Sequence, residues 1–146
     1  MLFQSKTAKR RSTPPVAYQA GMVALAVFEH TFTTAFTAAT DILEIGLLPA
    51  GAKIVRTTLI PTNMVAATLA DVGLMTGEAG EYDETRTSGN QIFNDVAATG
   101  AEKQATMVNL LAITPDETHR GIGVTLSLNQ GASPTRKLTI VIEYTY

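Results

Sequence analysis

The chain has 146 residues and no cysteine, with 45% hydrophobic residues against only 16% charged residues and a net charge of −2. The length suits one domain with a hydrophobic core, and the absence of cysteine excludes disulfides, thiolate nucleophiles and cysteine-based zinc sites. Since about 25% charged residues is usual for a soluble domain, the low charged fraction indicates that a partner covers part of the surface.

The first fifteen residues form a basic segment without a single acid, and its basic side chains are Lys6, Lys9, Arg10 and Arg11. The rest of the chain carries seven basic and thirteen acidic side chains, a balance of −6. Few large apolar residues and the Pro14-Pro15 pair predict an extended arm over residues 1–17 that does not fold alone. The arm either orders on a partner, which is nucleic acid or an acidic protein surface, or serves as a solubilising end.

The first predicted strand lies in GMVALAVFEHTFTTAF, residues 21–36. Val23, Leu25 and Val27 fall on one face, and this period-two placement of apolar residues predicts a strand. Both faces are apolar near Leu25, which predicts that both are covered. A helix is the competing interpretation because alanine is frequent, but the threonine-rich end disfavours it.

Two further strands are predicted over residues 42–48 and 52–60, on either side of Pro49-Ala50-Gly51. Proline fixes φ and glycine tolerates positive φ, so the tripeptide predicts a tight turn and the whole unit a hairpin or a corner. Pro61 cannot donate to a sheet, and we predict that it ends the second strand.

Alternating apolar residues predict another strand over residues 66–75, which the long polar loop 77–91 follows. A loop of this length in a compact domain usually either has a function or is disordered. Residues 91–101 are predicted to hold one helical turn, and residues 105–113 to form a strand.

The clearest predicted hairpin joins residues 124–128 to residues 138–144 through a loop at 129–134. About seven or eight strands separated by Gly- and Pro-containing turns predict an all-β fold. We predict a jelly-roll-like antiparallel β-sandwich that forms a single domain over residues 18–146. No internal repeat of fixed length occurs, which disfavours a propeller or a solenoid.

Residues with catalytic chemistry are sparse. His30 and His119 form no H-x-H pair, which the metal site of a cupin-type jelly roll would need, and no serine has an activated setting. Gly121 and Gly123 lead into a strand rather than a helix, and we interpret them as a bulge or a place of close backbone approach. The sequence therefore predicts no enzyme, no catalytic residue, no metal site and no cofactor.

The 77–91 loop is the candidate functional loop, and its chemistry-bearing residues are Glu78, Glu81, Tyr82, Asp83, Glu84 and Arg86. The carboxylates could bind a hard cation such as calcium, but their spacing does not match a D-x-[DN]-x-[DN]-G loop. A solvated acidic loop is the favoured interpretation. The longest apolar stretch, residues 20–28, is shorter than the roughly 20 residues that span a membrane, and no signal peptide is predicted.

Four segments in their order along the chain carry a resemblance to a known family: DILEIGLLPAGAKIV, VGLMTGEAGEYDE, RGIGVTLSL and KLTIVIEY. Their layout, over roughly residues 20–146, resembles the capsid decoration or cement proteins of tailed bacteriophages. The resemblance implies a jelly-roll-like sandwich on the outside of an icosahedral shell, where it bridges neighbouring major capsid subunits. It also implies a homo-oligomer, a dimer as the first expectation and a trimer as the second, with no membrane and no direct nucleic-acid partner.

The resemblance further implies that the terminal arm laces onto neighbours, so Lys6, Lys9, Arg10 and Arg11 are candidate contacts to the shell or to a sister subunit. We expect that deleting residues 1–15 weakens shell binding and leaves the fold intact. Two other functions remain open at this point. One is a ligand- or glycan-binding module that uses the 77–91 loop, and the other is a head–tail connector or tail subunit, which would be present in far fewer copies.

Overall fold

The computed structural model describes residues 1–5, 8–9 and 22–146. Within these ranges the chain forms nine strands and one short helix. In chain order the elements are β1 (Leu2–Gln4), β2 (Ala24–Thr31), β3 (Ile42–Leu48), β4 (Lys53–Thr62), β5 (Leu69–Leu74), β6 (Phe93–Ala97), β7 (Lys103–Gln104), α1 (Met107–Ala112), β8 (Arg120–Leu126) and β9 (Lys137–Thr145).

The strands form two sheets that pack face to face. One has five strands in the order β1-β3-β8-β5-β6, and the other has four in the order β2-β9-β4-β7. All pairs are antiparallel except β1 with β3. When β2 to β9 are numbered as eight strands, the first, eighth, third and sixth share one sheet, which is jelly-roll connectivity. The predicted all-β, jelly-roll-like sandwich is therefore confirmed.

The hydrophobic core lies between the two sheets and follows the alternation of each strand. In β9 the inward residues Leu138, Ile140, Ile142 and Tyr144 are all buried, whereas the residues between them are partly exposed. Burying each side chain of this size contributes about 1.5–3 kcal/mol. Because β9 lies between β2 and β4, its inward face connects the apolar residues of the whole four-stranded sheet.

In neither predicted hairpin do the two strands pair with each other. β3 and β4 are consecutive but belong to opposite sheets, and the same holds for β8 and β9. The Pro49–Gly51 turn forms as predicted, with Gly51 at a φ of 77°, but it serves as a corner between the sheets. The hairpin predicted over residues 124–144 is therefore wrong, whereas for residues 42–60 the alternative of a corner is right. Alternation identifies the buried face of a strand but not the strand with which it pairs.

Two local predictions were wrong. Residues 107–112 form α1 instead of a strand, because Met, Leu and Ala favour a helix and Thr106 caps it through a hydrogen bond from the Asn109 backbone N–H at 3.4 Å. Residues 93–97 form β6 instead of a helical turn, because Phe93 is buried and pairs with Val72 of β5. No helix in the described ranges is long and apolar enough to cross a membrane.

Pro61 does not end β4, which continues to Thr62. Pro61 pairs with Leu138 of β9, while β7 pairs only with Thr58 and Leu59 and has ended before it. A residue without an N–H is tolerated at this point because one side of β4 has no neighbouring strand to receive a hydrogen bond.

Candidate functional site

A buried ion pair holds the 77–91 loop on the outer face of the five-stranded sheet. Arg86 is 3% exposed and Glu44 of β3 is fully buried. The Arg86 Nη1 and Nη2 atoms donate to the two Glu44 carboxylate oxygens at 2.9 and 2.8 Å. This two-pronged geometry is the strongest form of carboxylate recognition by arginine.

The rest of this polar group is also satisfied. The Gly80 backbone N–H and the Gln4 side-chain amide donate to the Glu44 carboxylate at 3.1 and 2.6 Å. Arg86 in turn donates from Nε to the Thr76 carbonyl and from Nη1 to the Glu81 carbonyl, each at 2.8 Å. A buried charge is tolerated when its hydrogen bonds are made, so this cluster ties the loop, β3 and β1 together.

Glycines in β8 give the loop room to approach the sheet. A Cβ at Gly121 would overlap the Glu44 carboxylate and the Arg86 guanidinium, and a Cβ at Gly123 would overlap the side chains of Ser88 and Met75. The predicted close backbone approach at these two glycines is confirmed. A residue with a side chain at either position would collide with the loop.

The ion pair leaves the acidic residues of the loop on the surface, where Glu78, Glu81, Tyr82, Asp83 and Glu84 are exposed. The Thr85 hydroxyl and backbone N–H donate to Asp83 at 2.7 and 2.9 Å, and both hydrogen bonds lower the pKa of Asp83. The Tyr82 hydroxyl donates to Glu84 at 2.8 Å, which raises the pKa of Tyr82. Arg86 differs from this set because it lies inside the loop and presents nothing to a partner.

Both histidines make contacts within the fold. The His119 Nδ1 atom accepts a hydrogen bond from the Ala50 backbone N–H at 3.0 Å and so holds the β3–β4 corner. The His30 ring packs edge-on against Phe32 and Phe3, with ring centroids at 4.9 and 6.3 Å. Within the described part of the chain, no three His, Asp or Glu side chains lie close enough to hold a metal ion.

The start of the predicted arm is part of the fold, because residues 2–4 form β1 of the five-stranded sheet. β1 runs parallel to β3, the Ser5 backbone N–H donates to the Glu44 carbonyl at 2.9 Å, and Ala8 is buried. Of the four basic residues predicted to contact a partner, Lys9 is exposed, whereas Lys6, Arg10 and Arg11 lie outside the described residues. Deleting residues 1–15 would therefore also remove a strand, so the expected preservation of the fold no longer follows.

A row of apolar side chains on β2 faces outward, which the sequence did not predict. Leu25 and Val27 of β2, together with Val23 directly before it, are here called the outer row and are 51%, 56% and 54% exposed. Both faces of this strand were expected to be covered, but no described residue covers the outer row. A second exposed apolar group lies on α1, where Met107, Val108 and Leu111 project from the surface. Apolar alternation alone does not distinguish a covered face from an open one.

The structure is similar to a chain of the capsid of Ralstonia phage GP4, with 29% sequence identity and a TM-score of 0.88. The matched region covers 99% of this chain and 97% of that one. It is also similar to a chain of the cyanophage Pam1 capsid, with 21% identity and a TM-score of 0.57 over 92% and 91% of the two chains.

A third similar structure is the acid-stable capsid of Helicobacter pylori bacteriophage KHP30, with 16% identity and a TM-score of 0.56 over 88% of this chain and 90% of that one. The last two similarities concern the fold alone. No family model and no curated protein matches the chain. The similarity to the chain of the GP4 capsid supports a structural role in a virion.

Proposed function

We propose that this chain binds the outside of an icosahedral phage capsid and cements neighbouring major capsid subunits, as a homo-oligomer and without catalytic activity. The observation that carries the proposal is the end-to-end similarity to a chain of the Ralstonia phage GP4 capsid. Because the match covers 97% of that chain, the chain in the GP4 capsid is a protein of similar size and not a large shell subunit with one similar domain.

The surface of the molecule suits a binding protein. The outer row of β2 and the exposed side chains of α1 offer apolar contact area, and the loop presents carboxylates on a rigid support. A protein that binds the assembled shell but not its dissociated subunits stabilises the shell by mass action, and it needs no reactive group to do so. The low charged fraction of the chain agrees with a surface that a partner covers.

The 77–91 loop supports a ligand-binding module less well. An open cleft beside it is lined by Ala50, Gly77, Glu78, Glu117, Thr118 and His119. This lining contains no Phe, Tyr or Trp side chain on which a sugar ring could stack. The exposed Tyr82 lies elsewhere on the loop and is hydrogen-bonded to Glu84.

The test is binding of the purified protein to phage shells that lack it. We expect the protein to sediment with the shells, at a copy number comparable to that of the major capsid protein, and to raise their melting temperature. Dissociated capsid subunits are the control and should not bind. Failure to sediment with intact shells would contradict the proposal, and saturation at a few copies per particle would favour a connector or tail position instead.

A further inference from the structure

β2 is a long, regular and open sheet edge. Among the described residues it pairs only with β9, along all eight of its residues and without a register shift. Its sequence, ALAVFEHT, contains no proline, glycine or lysine. Strands at sheet edges usually carry such residues or a bulge because their unpaired N–H and C=O groups otherwise bind another strand.

The other edges of the two sheets differ from β2. β1 has three residues and β7 has two, which is too short for extended pairing. β6 is irregular, because Asp95 has a φ of 50° and the register shifts between β5 and β6. β4 is open on either side of its two-residue pairing with β7, but its register against β9 shifts between Ile54 and Arg56 and it has no exposed apolar side chain. In the described part of the chain, therefore, β2 alone combines length, regularity and exposed apolar side chains.

We propose that residues 22–28, which comprise the first five residues of β2 and the two residues before it, pair antiparallel with the same residues of a second copy about a two-fold axis at Leu25, so that two four-stranded sheets become one sheet of eight strands. This interface would form the homo-oligomer of the proposed function. Only the role of the dimer in the virion rests on that function. The pairing itself would form in the free protein. In this register Leu25 lies opposite Leu25, and Val23 lies opposite Val27.

The distribution of charge on β2 selects both the partner and the register. Opposed residues of an antiparallel pair point to the same face of the sheet. In a symmetric pair of β2 strands, the two-fold axis must therefore pass between one residue and the same residue of the second copy. An axis at Ala26 would bring Glu29 opposite Val23, and an axis at Val27 would bring it opposite Leu25. With the axis at Leu25, every opposed pair of the outer row is apolar.

The same register separates the like charges of the two copies. Glu29 is the only acid of β2, and its carboxylate lies 3.7 Å from Lys137 Nζ of its own chain. The two Glu29 residues would be eight positions apart along the paired strands, or about 26 Å at the usual rise per residue. This is well beyond the Debye length of about 8 Å at physiological salt, so their repulsion is screened.

The natural absence of cysteine makes the register testable by crosslinking. A Leu25→Cys variant would place two thiols opposite each other, with Cβ atoms about 5 Å apart, which is close to disulfide geometry. We expect mild oxidation to give a covalent dimer. The matched control is Val108→Cys on α1, which is more exposed, at 79%, and should give no covalent dimer. No crosslink at Leu25, or equal crosslinking of both variants, would overturn the proposal.

A second measurement tests the association without a covalent bond. Sedimentation equilibrium should give a dimer for the unmodified protein and a monomer for Leu25→Lys, because two lysines would meet at the axis. Leu111→Lys, with a similarly exposed side chain on α1, should remain a dimer. If the unmodified protein is a monomer, β2 has a different occupant and the proposal fails. Shell binding, measured separately, would be unaffected by that result.

Discussion

His30 is the titratable residue with the most perturbed environment in the described chain. Burial against Phe3 and Phe32 lowers its pKa from 6.5 to about 4, and the nearby charge of Lys9 acts in the same direction. The imidazole is therefore neutral in the folded protein at neutral pH, where it links β2 to the N-terminal segment through ring contacts. Its protonation would place a charge between two aromatic rings.

This pKa shift predicts a loss of stability in acid. The folded pKa lies below the unfolded pKa, so the contribution is complete above pH 6.5 and disappears as the pH falls towards 4. Allowing for partial exposure of the ring, we expect this group to account for about 2 kcal/mol. The measurement is the urea unfolding free energy of the natural protein and of His30→Gln at pH 7 and pH 4. Equal losses in both proteins would contradict the prediction.

At the scale of elements, the Glu44–Arg86 pair decides the conformation of the 77–91 loop. The loop begins and ends at one place, where the Thr76 backbone N–H donates to the Thr87 carbonyl at 2.9 Å. Between these points, the ion pair supplies the attachment to β3. A loop fixed in this way can present its exposed acids in one arrangement without a metal ion to organise them.

Replacing Arg86 should free the loop and destabilise the fold. Arg86→Leu leaves the buried Glu44 carboxylate without its counter-charge, and removing one partner of such a pair typically costs about 3–5 kcal/mol. The matched control is Arg56→Leu, which removes the exposed Arg56–Glu143 pair at 3.7 Å and should cost less than about 1 kcal/mol. Urea unfolding measures both costs, and protease cleavage within residues 77–86 reports loop release. Similar costs for the two variants would rule out the proposed role of the ion pair.

The sequence predicts the strands well and their partners poorly. The apolar alternation from Leu138 to Tyr144 was sufficient to identify the buried face of β9, because one strand determines its own two faces. It could not reveal that β8 and β9 lie in opposite sheets, because pairing depends on distant residues.

The same limit applies to the candidate site. Arg86 was visible as a lone base among acids, but its partner Glu44 is 42 positions away in a strand that looks apolar. The α1 segment was misassigned as a strand because the periodicity of a short apolar run does not distinguish a strand from a helix. The open outer row was missed for a related reason, since exposure is a property of the assembled sheets.

At the scale of the whole molecule, the outer faces of the two sheets differ. The chain covers the five-stranded sheet with its own loop, and Glu44, Gly121 and Gly123 are buried beneath it. The described residues leave the outer row of the four-stranded sheet open. One sheet therefore has an outer face that the protein covers with its own loop, and the other has an outer face that is open to a partner.

The basic N-terminal residues Lys6, Lys9, Arg10 and Arg11 are the proposed contacts to the shell. Replacing Lys6, Lys9, Arg10 and Arg11 by Gln keeps β1 in place, and we expect it to weaken shell binding about tenfold at low salt and to reduce the salt dependence. The matched control removes the same charge from the body of the domain, at Lys53, Arg56, Lys103 and Lys137. Equal weakening by both sets would show that net charge matters and that the location of the charges does not.

The position of β9 in the centre of the four-stranded sheet has a consequence for biosynthesis. β9 pairs with β2 at Ala24↔Tyr144 and with β4 at Lys53↔Thr145, so both neighbours are translated long before it. Until β9 leaves the ribosome, β2 and β4 have no partner between them, and the core face of that sheet stays exposed. Closing such long loops is slow. The nascent chain therefore completes its sandwich only after β9 has been translated, and until then its unpaired strands can associate with other nascent chains.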